Sequence, residues 1–173
     1  FSQLMITSSN GFTYYTYEYQ NLISGSTSGA ELGTQSQIAH CWRLNVNYSF
    51  LNSDFAANGP TSNISDSGSV QTYEDSSPKH MVTVQSMFNL PEKFHLDQTY
   101  RFITALPAQK VSAYQTMDVR LERALARNLS LELVGQNLFQ HVHGEWGTGD
   151  PTQPVVGVYR TGYVRLAVHS GQP

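Results

Sequence analysis

Long strand-like runs in this chain are joined alternately by short turns and long links, and few folds have a use for that rhythm. Two-residue alternation of apolar and polar side chains recurs along the sequence, whereas helical periodicity is hard to find. Leu44-Asn45-Val46-Asn47-Tyr48-Ser49-Phe50 alternates without error, so its apolar set faces one side and its polar set the other. The same reading places strands near 1–8, 12–20, 30–39, 43–53, 80–90, 94–104, 113–125, 129–139 and 158–169. Short turns fall at Ser9-Asn10-Gly11, His40-Cys41-Trp42, Pro91-Glu92-Lys93 and Ala126-Arg127-Asn128. Long links are expected at 21–29, 54–79, 105–112 and 140–157, which puts every long loop at one end. Such one-sidedness, with strands near the ~9–11 residues that cross a bilayer at a tilt, fits an up-and-down transmembrane β-barrel. Soluble strands average nearer ~5–6 residues.

Composition supports this class. Charged residues make up 13% of the 173, about half the usual share, while aromatics reach 12% with ten Tyr. Mean hydropathy is −0.35, and no window approaches the ~18 consecutive apolar residues of a spanning helix. A net charge of −3 with scattered Lys and Arg gives no footing for a nucleic-acid partner. The single cysteine, Cys41, can form no internal disulfide and no multi-cysteine metal site; it reads as a small residue at a turn. The long polar stretch from Asp54 to Pro78 would also suit a linker between two soluble domains. Matching strand patterns on both sides favour a loop. The opening Phe1-Ser2-Gln3-Leu4-Met5-Ile6 has no secretory signal pattern.

With the short turns on the periplasmic side, nine strands counted back from the last begin on the outer side. Bacterial single-chain barrels use even numbers, so the expectation is an all-β antiparallel barrel segment: about nine strands of a larger barrel whose N-terminal part lies upstream. Two unpaired edges cannot persist in lipid.

Several stretches carry a resemblance to a known family. Tyr114-Gln115-Thr116-Met117-Asp118-Val119-Arg120-Leu121 resembles a Tyr-x-x-x-Asp-x-Arg-Leu strand, and Gly135-Gln136-Asn137-Leu138-Phe139 a Gly-x-Asn-Leu-Phe strand end. Arg160 with Tyr163-Val164-Arg165-Leu166 is similar to a closing strand, and Ser77-Pro78-Lys79-His80 to a strand entered after a long loop. In this order they resemble the C-terminal barrel segment of TonB-dependent outer-membrane receptors, strongly over residues 77–168. Tyr19-Gln20-Asn21-Leu22 and Ala30-Glu31-Leu32-Gly33 fit more loosely. The family's closing aromatic is missing, since the last strand runs on to Val168-His169-Ser170-Gly171-Gln172-Pro173. The resemblance implies the bacterial outer membrane and active import of a scarce nutrient, often an iron chelate. It also implies a plug domain that this sequence does not include, and coupling to TonB through that plug.

Candidate site residues are few. His141 and His143 with Glu145 form a His-x-His pair plus carboxylate, a pattern able to hold a metal or iron chelate, though an exposed polar loop is the commoner meaning. Trp146 reads as a ligand-stacking residue or, more often, an interfacial aromatic. Arg101, Asp118, Arg120 and Glu122 share the lumen-facing parity and are expected to pair with one another or with a plug. No phosphate loop, nucleophile elbow or zinc-protease motif occurs, so neither a catalytic residue nor a cofactor is expected. The competing readings are a small complete barrel acting as anchor or enzyme, and a soluble β-sandwich binding module. A sandwich also produces alternation, by burying its two inner faces.

Overall fold

Alternating side chains need a ladder partner on each side, and the chain supplies them from its own sequence neighbours. In the computed structural model the described residues are 2–9, 11–19, 21, 23–58, 67–148, 150 and 152–168. Strands β1 (Ser2–Ser9) and β2 (Phe12–Tyr19) form a two-stranded antiparallel sheet through the turn at Gly11, whose φ of +78° suits glycine. The main sheet has seven antiparallel strands. They are β3 (Ile23–Ala39), β4 (Trp42–Ala57), β5 (His80–Leu90), β6 (Phe94–Ile103), β7 (Tyr114–Ala126), β8 (Leu129–Gln136) and β11 (Thr161–Val168). They lie in the order β11-β8-β7-β6-β5-β4-β3, each beside its sequence neighbour except where β9 (Val142–Trp146) and β10 (Val156–Tyr159) intervene. Those two pair with each other. Each of the nine expected strands coincides with a strand of the structure, seven of them in the main sheet, and no described helix is long and apolar enough to cross a membrane.

The register lines residues into two faces. One row across the sheet reads Trp42, Phe88, Leu96, Leu121, Leu133, Val164, and another reads Thr34, Val46, Val84, Tyr100, Met117. The opposite face carries Gln35, Asn45, Gln85, Thr99 and Asp118, then Gln37, Arg43, Met87, Asp97 and Arg120. Burial is reversed relative to a water-soluble sheet: Glu132 is 3% exposed, while its neighbour Leu133 is 57% exposed. Leu131, Leu166 and Val168 are also bare on the apolar face. A β-sandwich would hide those leucines against a second sheet, and among the described residues none covers them.

Aromatic residues bound the apolar face. At the short-turn end Trp42 stacks on Phe88 at 5.3 Å, and the Arg123 guanidinium lies 4.9 Å from the centre of the Phe94 ring. At the other end the Tyr48 hydroxyl meets His80 Nδ1 at 2.8 Å, with Phe50 packed on the same imidazole. Trp42 and Phe50 are eight positions apart on β4, about 26 Å along a strand, on the scale of the apolar band of a barrel with its two aromatic girdles. Ser86 interrupts the apolar face, but its hydroxyl accepts a 2.9 Å hydrogen bond from the Trp42 indole.

Three expectations about connections need correction. Residues 21–29 are not a long link: β3 begins at Ile23, so β2 and β3 are three residues apart and the strict alternation of link lengths breaks there. Ser24-Gly25-Ser26-Thr27-Ser28-Gly29 has poor strand propensity, yet β4 also runs on, to Ala57, and the ladder from Ile23↔Ala57 down to Gly29↔Leu51 holds both. This hairpin is 17 residues tall on β3, about 56 Å, and stands well clear of the bilayer. The 54–79 link contains helix α1 (Ser67–Glu74), which docks on β4 through a 2.7 Å bond from Phe55 N–H to Glu74 Oε1. The last two expected strands both change: 129–139 stops short at Gln136, and 158–169 divides into β10 and β11 at Arg160. Phe1, Gln20 and His169, at the limits of three expected strands, lie outside the described residues.

The two faces predict unequal tolerance to charge. Val84→Arg, near the middle of the apolar face, should cost about 2–4 kcal/mol of folding stability in lipid vesicles, whereas Gln85→Arg, one residue on, should cost about 1 or less. Denaturant titration of both variants reads the difference; equal costs would contradict the assignment of faces.

Candidate functional site

The polar face gathers its charges toward the short-turn end. Arg120 on β7 sits directly opposite Asp97 on β6 and bonds it at 2.7 Å. Its other nitrogens reach Glu122 and, at 3.1 Å, Glu132 on β8. Glu132 is also gripped by Arg165 of β11, with Nη2 at 2.8 and 2.7 Å from its two oxygens and Nε at 3.1 Å. Register makes this necessary: Glu122 and Glu132 face each other across the β7–β8 ladder, a repulsive placement unless cations stand beside them. Two guanidiniums thus serve three carboxylates, leaving the cluster one negative charge. It ties together four adjacent strands.

A second unit joins the two motifs singled out in the sequence. Asp118 accepts from Arg101 Nη1 at 2.6 Å through one oxygen and from the backbone N–H of Asn137 at 2.9 Å through the other. Asn137 is left-handed (φ 53°), 2% exposed, and donates from Nδ2 to the Val158 carbonyl at 2.9 Å. Leu138 N–H bonds the Met117 carbonyl, and its side chain folds over Gly135, where a Cβ would stand 3.0 Å from Leu138 Cδ2. The Asp-x-Arg-Leu strand and the Gly-x-Asn-Leu-Phe end are two halves of one device. It ends β8 and turns the chain into a short excursion, 137–141, before β9 resumes pairing opposite β10.

Above it lies the outer hairpin. His143 is buried, stacks on Tyr114 at 4.3 Å and meets Glu145 at 3.0 Å through Nε2. His141 instead sets its ring edge-on to Tyr159, and no group of three or more metal-ligating side chains forms among the described residues. Trp146 is half-exposed three residues beyond His143, paired with Val156. A cavity of about 370 Å³ opens beside His143, walled by Lys110, Val111, Gln140, Val142 and Val155. Further along the hairpin, the Gly147 backbone comes so near the Gln109 carbonyl that a Cβ would fall 2.3 Å from it. In the loop beyond, the Asp150 carboxylate accepts from the Thr152 N–H and hydroxyl, which holds its pKa below the usual carboxylate range.

Of the residues expected at the lumen, Arg101 pairs with Asp118 and Arg120 with Glu122, in two separate groups. Sequence reasoning missed Asp97, Glu132, Arg165 and Asn137 as members. A carboxylate between two leucines, Leu131-Glu132-Leu133, was the available signal for the hub.

An antiparallel sheet with bare leucines on one face, ion pairs on the other and aromatic girdles at both ends defines a transmembrane β-barrel wall. The sequence matches, over residues 2–148, the model of a family described as the outer membrane protein beta-barrel family. The chain belongs to that family, and its place is the bacterial outer membrane. Neither the curated proteins nor the solved structures contain a match.

Removing the hub tests the ion network. Glu132→Ala should lower unfolding stability in detergent by about 1–3 kcal/mol, the scale for stranding charged hydrogen-bond partners, kept modest because both guanidiniums are partly wet. Adding Arg165→Ala should restore part of the loss; strictly additive losses would mean that the two side chains are not coupled.

Proposed function

We propose that the chain forms part of the wall of a TonB-dependent receptor, an active transporter that imports a scarce nutrient such as an iron chelate across the outer membrane. The observation that carries this reading is the Asp118–Asn137 unit. The motifs that resemble the receptor family are joined there by hydrogen bonds, so in this chain they act as one structural unit. The open sheet adds support: β3 and β11 are not paired with each other among the described residues, and lipid requires both edges to be closed by further strands. A barrel of the receptor's size, with 22 strands around a plug, has room for them. The cluster of Asp97, Arg120, Glu122, Glu132 and Arg165, with its surplus negative charge, offers that plug a polar surface to seat against. In this reading the chain's partners are outer-membrane lipid, the plug, TonB acting through the plug, and the transported small molecule. It is a transporter and not an enzyme.

Energised uptake is the test. Deleting the gene should abolish accumulation of at least one labelled iron chelate or comparable scarce nutrient, and dissipating the proton gradient in the parent strain should have the same effect. Uptake that is lost with the gene but indifferent to the gradient would place the chain in a passive barrel.

A further inference from the structure

Arg123 puts a charge on the lipid face of the wall. On β7 it continues the apolar file of Met117, Val119 and Leu121 toward the short turns, and its ladder partners are Phe94 on β6 and Leu131 on β8. With Leu90 and Leu166 these form a cross-sheet row that is otherwise apolar. The row lies one step, about 7 Å, nearer the turns than the row that begins at Trp42. There the aromatic girdle gives way to lipid headgroups. A cation is tolerated on the lipid face at that depth because its long side chain reaches the polar layer.

The guanidinium is positioned but not saturated. It lies 4.9 Å from the centre of the Phe94 ring, and its Nη2 is 3.7 Å from Glu92 Oε2, too far for a hydrogen bond. Its five N–H groups thus make no hydrogen bond among the described residues, and the side chain is about half exposed. The turns at this end add Lys93 and Arg127, both exposed and neither in an ion pair among the described residues. Glu92 is the one carboxylate on those two turns. Planar donors without acceptors match the oxygens of a phosphodiester, which a guanidinium binds through parallel N–H bonds. Glu92 would suit the ammonium of a zwitterionic headgroup, but three cations outweigh it and favour net negative charge. Leu121 and Val119 lead from Arg123 toward the bilayer centre, as an acyl chain must. We infer that Arg123, set against Phe94, is the headgroup site of an anionic phospholipid in the leaflet at the short-turn end. The site belongs to the wall and does not depend on energised import, since a passive barrel would hold the same lipid.

Native mass spectrometry tests this on the protein purified from outer membranes, stripped of lipid in detergent and titrated with phosphatidylglycerol or phosphatidylethanolamine. Phosphatidylglycerol should bind about fivefold more tightly or better, the worth of one basic residue at an anionic surface. Arg123→Gln should remove that preference. Glu92→Gln, on an exposed turn, should move the other way and strengthen phosphatidylglycerol binding by about twofold or more, so it carries the test if Arg123→Gln misfolds. Equal binding of the two lipids would overturn the inference. So would a preference unchanged in a folded Arg123→Gln protein, phosphatidylglycerol binding that is unchanged or weaker in Glu92→Gln, or displacement of the lipid by millimolar inorganic phosphate.

Discussion

Hydrocarbon offers backbone amides no partners, and every other feature of this chain follows from meeting that constraint with strands. A ladder satisfies the amides, and the ladder's two-residue period then forces a choice of solvent on each side chain. Leu131, Leu133, Leu166 and Val168 take the lipid; Ser130, Glu132 and Arg165 take the lumen. A register slip of one residue would exchange the two sets. Register is therefore held in place by more than backbone bonds. The Arg120–Glu132–Arg165 contacts lock β7, β8 and β11 at one level, and the Asp118–Asn137 bond locks β7 to the end of β8 at another.

The same economy shapes the ends. At the short-turn side the connections are tight, as at 40–41, 91–93 and 127–128. At the other side the chain is free of the bilayer and builds upward. β3 and β4 continue as a tall hairpin rich in Ser, Gly and Asn, α1 leans on β4, and β9–β10 rises beyond the excursion that begins at Asn137. The cavity and the two histidines belong to this superstructure, while the ion network belongs to the wall.

Much of the wall was legible in the sequence, because strand periodicity survives in residues such as Leu44 to Phe50 and Met117 to Leu125. Nine strands were found from it, the seven of the main sheet and the β1–β2 pair. What escaped was decided by pairing. Ser24 to Gly29 looks like a loop until β4 supplies its ladder, and no local feature shows that Trp42 will reach Ser86. The ion network was half visible: parity put Arg101, Asp118, Arg120 and Glu122 on the lumen face. Only register could show that Glu122 opposes Glu132 and that Arg165 completes the set. The placing of the two histidines was hidden for a similar reason, since Tyr159 and Tyr114, distant in sequence, draw their rings to different neighbours.

The central claim is the inversion of faces, and β8 is its clearest statement. Single spin labels placed through cysteine at 130, 131, 132, 133 and 134, in protein folded in bilayers, report contact with oxygen in lipid against a water-soluble nickel complex. The account predicts alternation, with positions 131 and 133 in contact with lipid oxygen and 130, 132 and 134 on the lumen side. Uniform accessibility along the strand, or alternation of the opposite phase, would contradict it.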